Sequence, residues 1–292
     1  ADARRLLEGR GRYVDDMQLP RMVHAAFVRS PYAHARIIDI DMTAAQELPG
    51  VIAVYRGTDL VPHVKPYVGT LTHMAGLRSP PQMPLALDVA RWQGEPLVMV
   101  VAQSRAIAED ATALVEVDLD PLPTACDMET ALGPDAVVIH KELGSNLAWE
   151  RTVTAGDVET AFARDDVTIV ERKFQFGRHT GVTLEPRVSM VDYDPSENRM
   201  SYWYSGQAPH MMQFILSNHL DLPEENVRVM SHDVGGSFGI KIHTYGDDIA
   251  TAVAAKLLKR PVKFVADRNE SFVTDIHARE HVVTAKMAVQ AD

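Results

Sequence analysis

Residues His232-Asp-Val-Gly-Gly-Ser-Phe-Gly239 decide how this chain is read. Before them stands Asn226-Val-Arg-Val-Met-Ser231, a short β-rich run that reads as a strand. After them the spacing predicts a helix over 245–259 and a strand over 261–266. A glycine loop thus lies between a strand and a helix of a βαβ unit. Glycine lets the backbone turn sharply and approach a ligand closely. Successive N–H groups and a nearby helix N-terminus favour an anion. The offsets of Gly235, Gly236 and Gly239 are not those of G-x-G-x-x-G, and no Gly-Lys-Ser/Thr follows. Taken alone, the loop fits a structural turn as well as a ligand loop.

Upstream, Ser189-Met-Val-Asp-Tyr193 and Met200-Ser-Tyr-Trp-Tyr204 read as a strand pair, with the turn at Pro195 and Asn198. Ser205-Gly-Gln-Ala-Pro-His210 ends the second strand. A helix follows with Pro209 in its first turn, where a missing N–H costs little. Gln207 therefore sits at a strand end, opposite the glycine loop. A neutral carboxamide there can donate a hydrogen bond to an oxo group without adding charge. The plain alternative is a solvated loop glutamine.

The earlier chain alternates strands with helices. Strands are predicted at 22–29, 37–41, 51–55, 96–102 and 116–120, and helices at 42–47 and 105–114, the latter capped by Ser104. Residues 62–84 have no clear period and read as a long loop. Pro96-Leu-Val-Met-Val-Val-Ala102 is apolar throughout, the pattern of a strand covered on both faces. The organisation expected is α+β, with one domain over 1–127, a Pro- and Gly-bearing linker over 128–145, and a second domain over 146–292.

The 292 residues carry 29 Lys and Arg against 40 Asp and Glu, a formal charge of −11. This balance argues against a duplex-binding partner, because phosphate backbones are held by clustered cations. No run of about 18 apolar residues marks a membrane span. The charged start shows no secretory signal. The single cysteine, Cys126, cannot form an internal disulfide or build a cluster alone, and fits a reducing cytoplasm. His277-Ala-Arg-Glu-His281 matches H-x-x-E-H, a zinc-hydrolase pattern that needs both histidines one turn apart on a helix, with Glu280 as base. The β-branched flank after His281 reads instead as a strand.

Four ordered segments resemble the molybdopterin-binding large subunit of the xanthine dehydrogenase, aldehyde oxidase and aerobic carbon monoxide dehydrogenase family. Gly9-Arg-Gly-Arg-Tyr-Val-Asp-Asp16 with Arg29-Ser-Pro-Tyr-Ala-His-Ala-Arg36 resembles the start of its α/β hammerhead domain. Gln93-Gly-Glu-Pro96 with Ala108-Glu-Asp110 resembles that domain's end. Gln207-Ala-Pro-His210 resembles the glutamine segment beside the metal. Gly235-Gly-Ser-Phe-Gly239 with Asp267-Arg268 resembles the first molybdopterin-binding domain, which has mixed sheets.

The resemblance implies that Gln207 hydrogen-bonds an oxo ligand of molybdenum. It implies that Phe238 and Gly239 offer backbone to metal and pterin, with Gly235, Gly236 and Ser237 shaping the cofactor-binding loop. No side chain would ligate the metal, which a pterin dithiolene holds. The reaction implied is hydroxylation of an aldehyde or N-heterocycle with oxygen from water. Electrons would pass to an iron–sulfur small subunit and an FAD-binding medium subunit. Bacterial three-subunit members point to the cytosine dinucleotide form of the pterin. Xanthine-oxidising members carry Gly-Lys-Glu where this chain has Ile240-Lys-Ile242, which argues against a purine. The family's second molybdopterin-binding domain and its catalytic glutamate are expected on another chain or in further sequence beyond Asp292. The alternative is a non-catalytic fragment or assembly module of such a complex.

Overall fold

The computed structural model describes residues 2–68 and 74–290. In chain order it forms α1 (Asp2–Leu7), β1 (Val23–Arg29), β2 (Ala35–Asp41), α2 (Thr43–Glu47), β3 (Val51–Arg56), α3 (Gly57–Leu60), β4 (Val89–Ala90), β5 (Pro96–Ala102), α4 (Arg105–Thr112) and β6 (Glu116–Pro121). It continues with α5 (Val158–Phe162), β7 (Val167–His179), β8 (Val188–Asp194), β9 (Arg199–Tyr204), α6 (Pro209–Leu220), β10 (Val227–Met230), α7 (Gly246–Leu258), β11 (Val262–Val265), α8 (Arg268–Thr274) and β12 (Ala278–Gln290).

Two compact units result. One comprises Ala1–Val68, Pro81–Thr124 and Gly181–Ile276; the other comprises Gly69–Pro80, Ala125–Thr180 and His277–Asp292. In the first, a seven-stranded mixed sheet runs β10-β9-β8-β11-β1-β5-β3, and a three-stranded sheet runs β4-β2-β6. All seven residues of β5 are buried, which is why its sequence does not alternate. The helix after it begins where Ser104 accepts a hydrogen bond from the Ile107 N–H at 3.3 Å, a cap of the kind that contributes about 1 kcal/mol. The loop expected over 62–84 is bridged between Tyr67 and Gln82, and residues 69–73 of it lie outside the described residues.

The main core lies between the long sheet and helices α6 and α7. Tyr202, Met200, Met212, Leu216, Val253 and Phe264 are all buried there. The second unit contains α5 and the antiparallel ribbon of β7 and β12, with Phe174 opposite Val283 and Val170 opposite Met287. Those four side chains are exposed.

The expected βαβ unit exists in a wider form. β9, α6 and β10 make an adjacent parallel pair. The strand after α7 is not the neighbour of β10, because β9 and β8 lie between β10 and β11. Hydrophobic period marks the elements of such a unit but carries no information on how many strands its crossover spans.

Candidate functional site

Because β9 and β10 run parallel, with Trp203 opposite Met230, their carboxyl ends share one edge of the sheet. Ligands in open α/β sheets gather at such edges. Gln207 follows β9, and the glycine loop follows β10. β8 is antiparallel to β9 and pairs Ser189 with Tyr204, so the residues just before β8 reach the same edge. The Ser231 hydroxyl donates to the Gly206 carbonyl at 2.8 Å and joins the two strand ends. A Cβ on Gly206 would lie 1.8 Å from the Tyr204 ring, so only glycine lets the chain pass there. The Tyr204 hydroxyl then accepts the Ala208 N–H at 3.0 Å and sets the start of α6.

The loop is left-handed at three positions: Gly236 (φ 100°), Phe238 (φ 49°) and Gly239 (φ 94°). For Phe238 this conformation is strained, and strain of this kind collects at functional sites. Phe238 is also 78% exposed, an unusual place for a phenyl ring. Among the described residues, the N–H groups of Gly236, Ser237, Phe238 and Gly239 find no protein acceptor. The Ser237 hydroxyl is buried and has no hydrogen-bond partner. Gln207 is exposed, and its backbone N–H donates to the Lys241 carbonyl at 3.2 Å, just past the loop. The backbone of Gln207 is thus tied to Lys241, two residues past Gly239, at the sheet edge where residues 235–239 lie.

Sequence reading missed the residues beneath the loop. Glu185, in Leu184-Glu-Pro186, takes the Gly235 N–H on Oε2 at 2.7 Å. Lys241 Nζ lies 2.9 Å from the same oxygen. Burial pushes the Lys241 ammonium below the usual lysine range, opposed by Glu185. Neither residue belongs to a periodic pattern, so no local signal marked them.

One expectation needs correction. The N-terminus of α7 is not open to an anion, because its first turn holds the buried Asp247 and Asp248. The Asp248 carboxylate accepts the Tyr245 N–H at 3.1 Å, and Asp247 pairs with Arg187 at 2.6 Å. The helix supplies its own carboxylates, so the loop amides are the donors left. The zinc reading fails on geometry. Glu280 and His281 stand on β12, with His281 opposite Phe176. No helix brings His277 and His281 to one face, and Arg178 Nε engages Glu280 at 2.7 Å.

Among the described residues, no group of three or more His, Cys, Asp or Glu side chains is placed to hold a metal ion. The donors present are amide N–H groups, an unpartnered hydroxyl and an exposed carboxamide. That set suits an oxygen-bearing anionic group that brings its own metal ligands. The chemistry of the residues therefore fits a molybdenum–pterin group. Two cavities in the first unit, of about 480 Å³ beside Arg199, His210 and Arg228 and of about 550 Å³ beside Arg29, Gln93 and Glu270, are lined by neither Gln207 nor residues 235–239. Among the described residues no helix is long and apolar enough to cross a membrane.

A molybdopterin cofactor-binding domain model matches residues 139–292, and an aldehyde oxidase and xanthine dehydrogenase a/b hammerhead domain model matches residues 8–123. The nicotine 6-hydroxylase large subunit of Paenarthrobacter nicotinovorans is 38% identical over 99% of this chain and 35% of its own length. The carbon monoxide dehydrogenase large chain of Afipia carboxidovorans is 34% identical over 99% of this chain and 36% of its own. The crystal structure of quinoline 2-oxidoreductase from Pseudomonas putida 86 superposes with a TM-score of 0.93 at 34% identity, again over 99% of this chain and 36% of that one. This chain therefore spans about a third of the length of these relatives. With a hammerhead domain followed by a molybdopterin-binding domain, the chain belongs to the molybdenum hydroxylase family of aldehyde oxidases and xanthine dehydrogenases.

Proposed function

We propose that this chain forms part of the catalytic subunit of a molybdenum hydroxylase, which oxidises an aldehyde or N-heterocycle with oxygen from water. The observation that carries this reading is the row of four loop N–H groups without protein acceptors at the sheet edge shared with Gln207. When bound, a molybdenum–pterin group supplies the two-electron redox chemistry. The chain's own residues bind and orient it. Amides 236–239 and the Ser237 hydroxyl would donate hydrogen bonds to it, Gln207 would offer it a neutral carboxamide, and Phe238 exposes an apolar ring on the same loop. Preorganised donors of this kind stabilise charge that develops on oxygen.

The substrate class rests on relatives whose names cite nicotine and quinoline. The absence of an acid at Ile242 supports a substrate other than a purine. The partners we infer are an iron–sulfur small subunit, an FAD-binding medium subunit, and a second molybdopterin-binding domain or subunit bearing the catalytic glutamate. We take the pterin to be the cytosine dinucleotide form. The free, exposed Cys126 supports a reducing, cytoplasmic compartment. We take residues 1–127 and 146–292 as the hammerhead and first cofactor-binding segments of the sequence, with 128–145 between them, the strands of both segments sharing the seven-stranded sheet.

Metal analysis and turnover of the purified complex test the reading. Molybdenum is expected in the wild-type complex. Gln207→Ala is expected to lower turnover about 10- to 100-fold while the complex still assembles. A complex devoid of molybdenum would leave only an assembly role, and full activity in Gln207→Ala would remove the glutamine from the site.

A further inference from the structure

Three donors converge on one oxygen beneath the loop. Glu185 Oε2 accepts the Gly235 N–H at 2.7 Å, the Ser205 hydroxyl at 2.6 Å and the Lys241 ammonium at 2.9 Å. Lys241 also donates to Ser205 Oγ at 2.5 Å. The main chain completes the arrangement. The Glu185 N–H donates to the Gly235 carbonyl at 3.2 Å, and the Gln207 N–H donates to the Lys241 carbonyl at 3.2 Å. The Lys241 side chain is 0% exposed and that of Glu185 11%. One buried ion pair therefore holds the loop through its carboxylate and Gln207 through its lysine backbone.

Stability alone does not account for this choice. Removing two charges from water costs several kcal/mol per ion, on the order of what their attraction returns, and apolar pairs often serve stability as well. The second carboxylate oxygen, Oε1, is buried with no partner, a further cost. A fixed arrangement is the better-attested gain from such pairs. Here the arrangement is also neutral in sum. Glu185 offsets Lys241, so the pair places no net charge behind the loop amides.

We propose that Glu185 and Lys241 are positioning residues that lock the loop amides and Gln207 into one frame. They would act on an anionic, oxo- or phosphate-bearing pterin through those groups, without touching it. This rests on the function proposed above. Supporting partners of this kind typically change metal affinity or activity by about 10- to 100-fold.

The test uses the complete complex with Glu185→Gln, Lys241→Met and, as a control, Val101→Ala, which leaves a core cavity in β5. Hydrogen exchange is read at residues 206–208 and 234–240, with molybdenum per protein and the Mo(V) electron paramagnetic resonance signal. Glu185→Gln and Lys241→Met are expected to speed exchange in both segments together, lower molybdenum content about tenfold, and shift the Mo(V) signal of the metal that remains. Val101→Ala, at a matched loss of melting temperature, is expected to move none of these. Exchange rising in the loop alone, equal effects from Val101→Ala, or faster exchange with unchanged molybdenum and signal would each overturn the proposal. A wild-type complex without molybdenum would instead remove the functional reading, and the coupling of the two segments would then stand or fall on exchange alone.

Discussion

Arg187 grips Asp247 with both arms of its guanidinium, Nη1 to Oδ1 at 2.6 Å and Nη2 to Oδ2 at 3.0 Å. The same side chain reaches Asp275 at 2.6 Å and stacks 3.7 Å from the Tyr245 ring centre. Arg29 takes the other side of Asp247 at 2.8 Å and bonds Glu270 at 2.5 Å. The network ties the start of β8 to the first turn of α7 and the end of α8. Tyr245 carries it to the site, because its hydroxyl donates to the Ile240 carbonyl directly after the loop.

Arg187→Leu should therefore be among the most destabilising single changes in the chain. It leaves Asp247 and Asp275 buried with one cation fewer, a situation that costs about 3–5 kcal/mol. Arg187→Lys should recover little, because a point-like ammonium cannot hold Asp247 with two arms, reach Asp275 and stack on Tyr245 at once. Urea unfolding of the three proteins checks this, and a lysine variant as stable as wild type would contradict it.

Two glycines in the loop should respond differently to alanine. At Gly235 a Cβ would sit 2.5 Å from Glu185 Cβ, so Gly235→Ala must push the loop from its support. At Gly239 no atom lies within 4 Å of the added carbon, but φ is 94°. Gly239→Ala should then cost only backbone strain, about 1–2 kcal/mol. Gly235→Ala should lose molybdenum in the complex, whereas Gly239→Ala should retain most of it. Metal content paired with melting temperature separates displacement from strain.

The contrast shows what was legible in the sequence. Gly235, Gly236, Gly239 and Gln207 could be found because turn chemistry and motif spacing are local properties. The strands β1, β5, β8 and β9 were legible for the same reason, through alternation or unbroken apolar runs. Glu185 was not, since its meaning depends on Lys241, 56 residues later, folding under Gly235. The insertion of β8 and β9 between β10 and β11 was equally hidden, because strand order is fixed by long-range packing. The helix α8 was passed over although Asp267 caps it, accepting the Glu270 N–H at 2.7 Å. Its seven residues are too few for a helical period to stand out.

Phe238 offers a test of stored strain. A phenylalanine in the left-handed region costs about 1–2 kcal/mol, and glycine relieves that at some loss of chain entropy. Phe238→Gly should leave the protein equally stable or stabilise it by about 1 kcal/mol. Phe238→Ala, which keeps the strain, should not. Because the ring is exposed, neither variant opens a core cavity. A clear loss of stability in Phe238→Gly, measured by chemical denaturation, would mean that the ring supports the loop.

The paired aspartates of α7 set a pH dependence whose direction can be worked out. Burial and then the charge of Asp247 push the Asp248 carboxyl up to about 6. Burial also acts on Asp247, but Arg187 and Arg29 prevail and hold it down to about 2. For Asp248 the folded state favours the proton. Its contribution is complete below the ordinary aspartate range near pH 4 and is lost as pH rises through about 6. For Asp247 the contribution is present above pH 4 and is lost as pH falls through about 2. Asp248→Asn removes the first effect and keeps the second. The amide can still accept the Tyr245 N–H, while Tyr202, whose hydroxyl donates to Asp248 at 3.0 Å, turns to accept from the new NH₂. The variant should match wild type near pH 4 and exceed its stability at pH 7–8 by on the order of 3 kcal/mol. Urea midpoints at pH 4, 5, 6 and 7.5 measure this. Parallel curves for the two proteins would mean that Asp248 is ionised throughout and that Tyr202 and Tyr245 hold it as a charge.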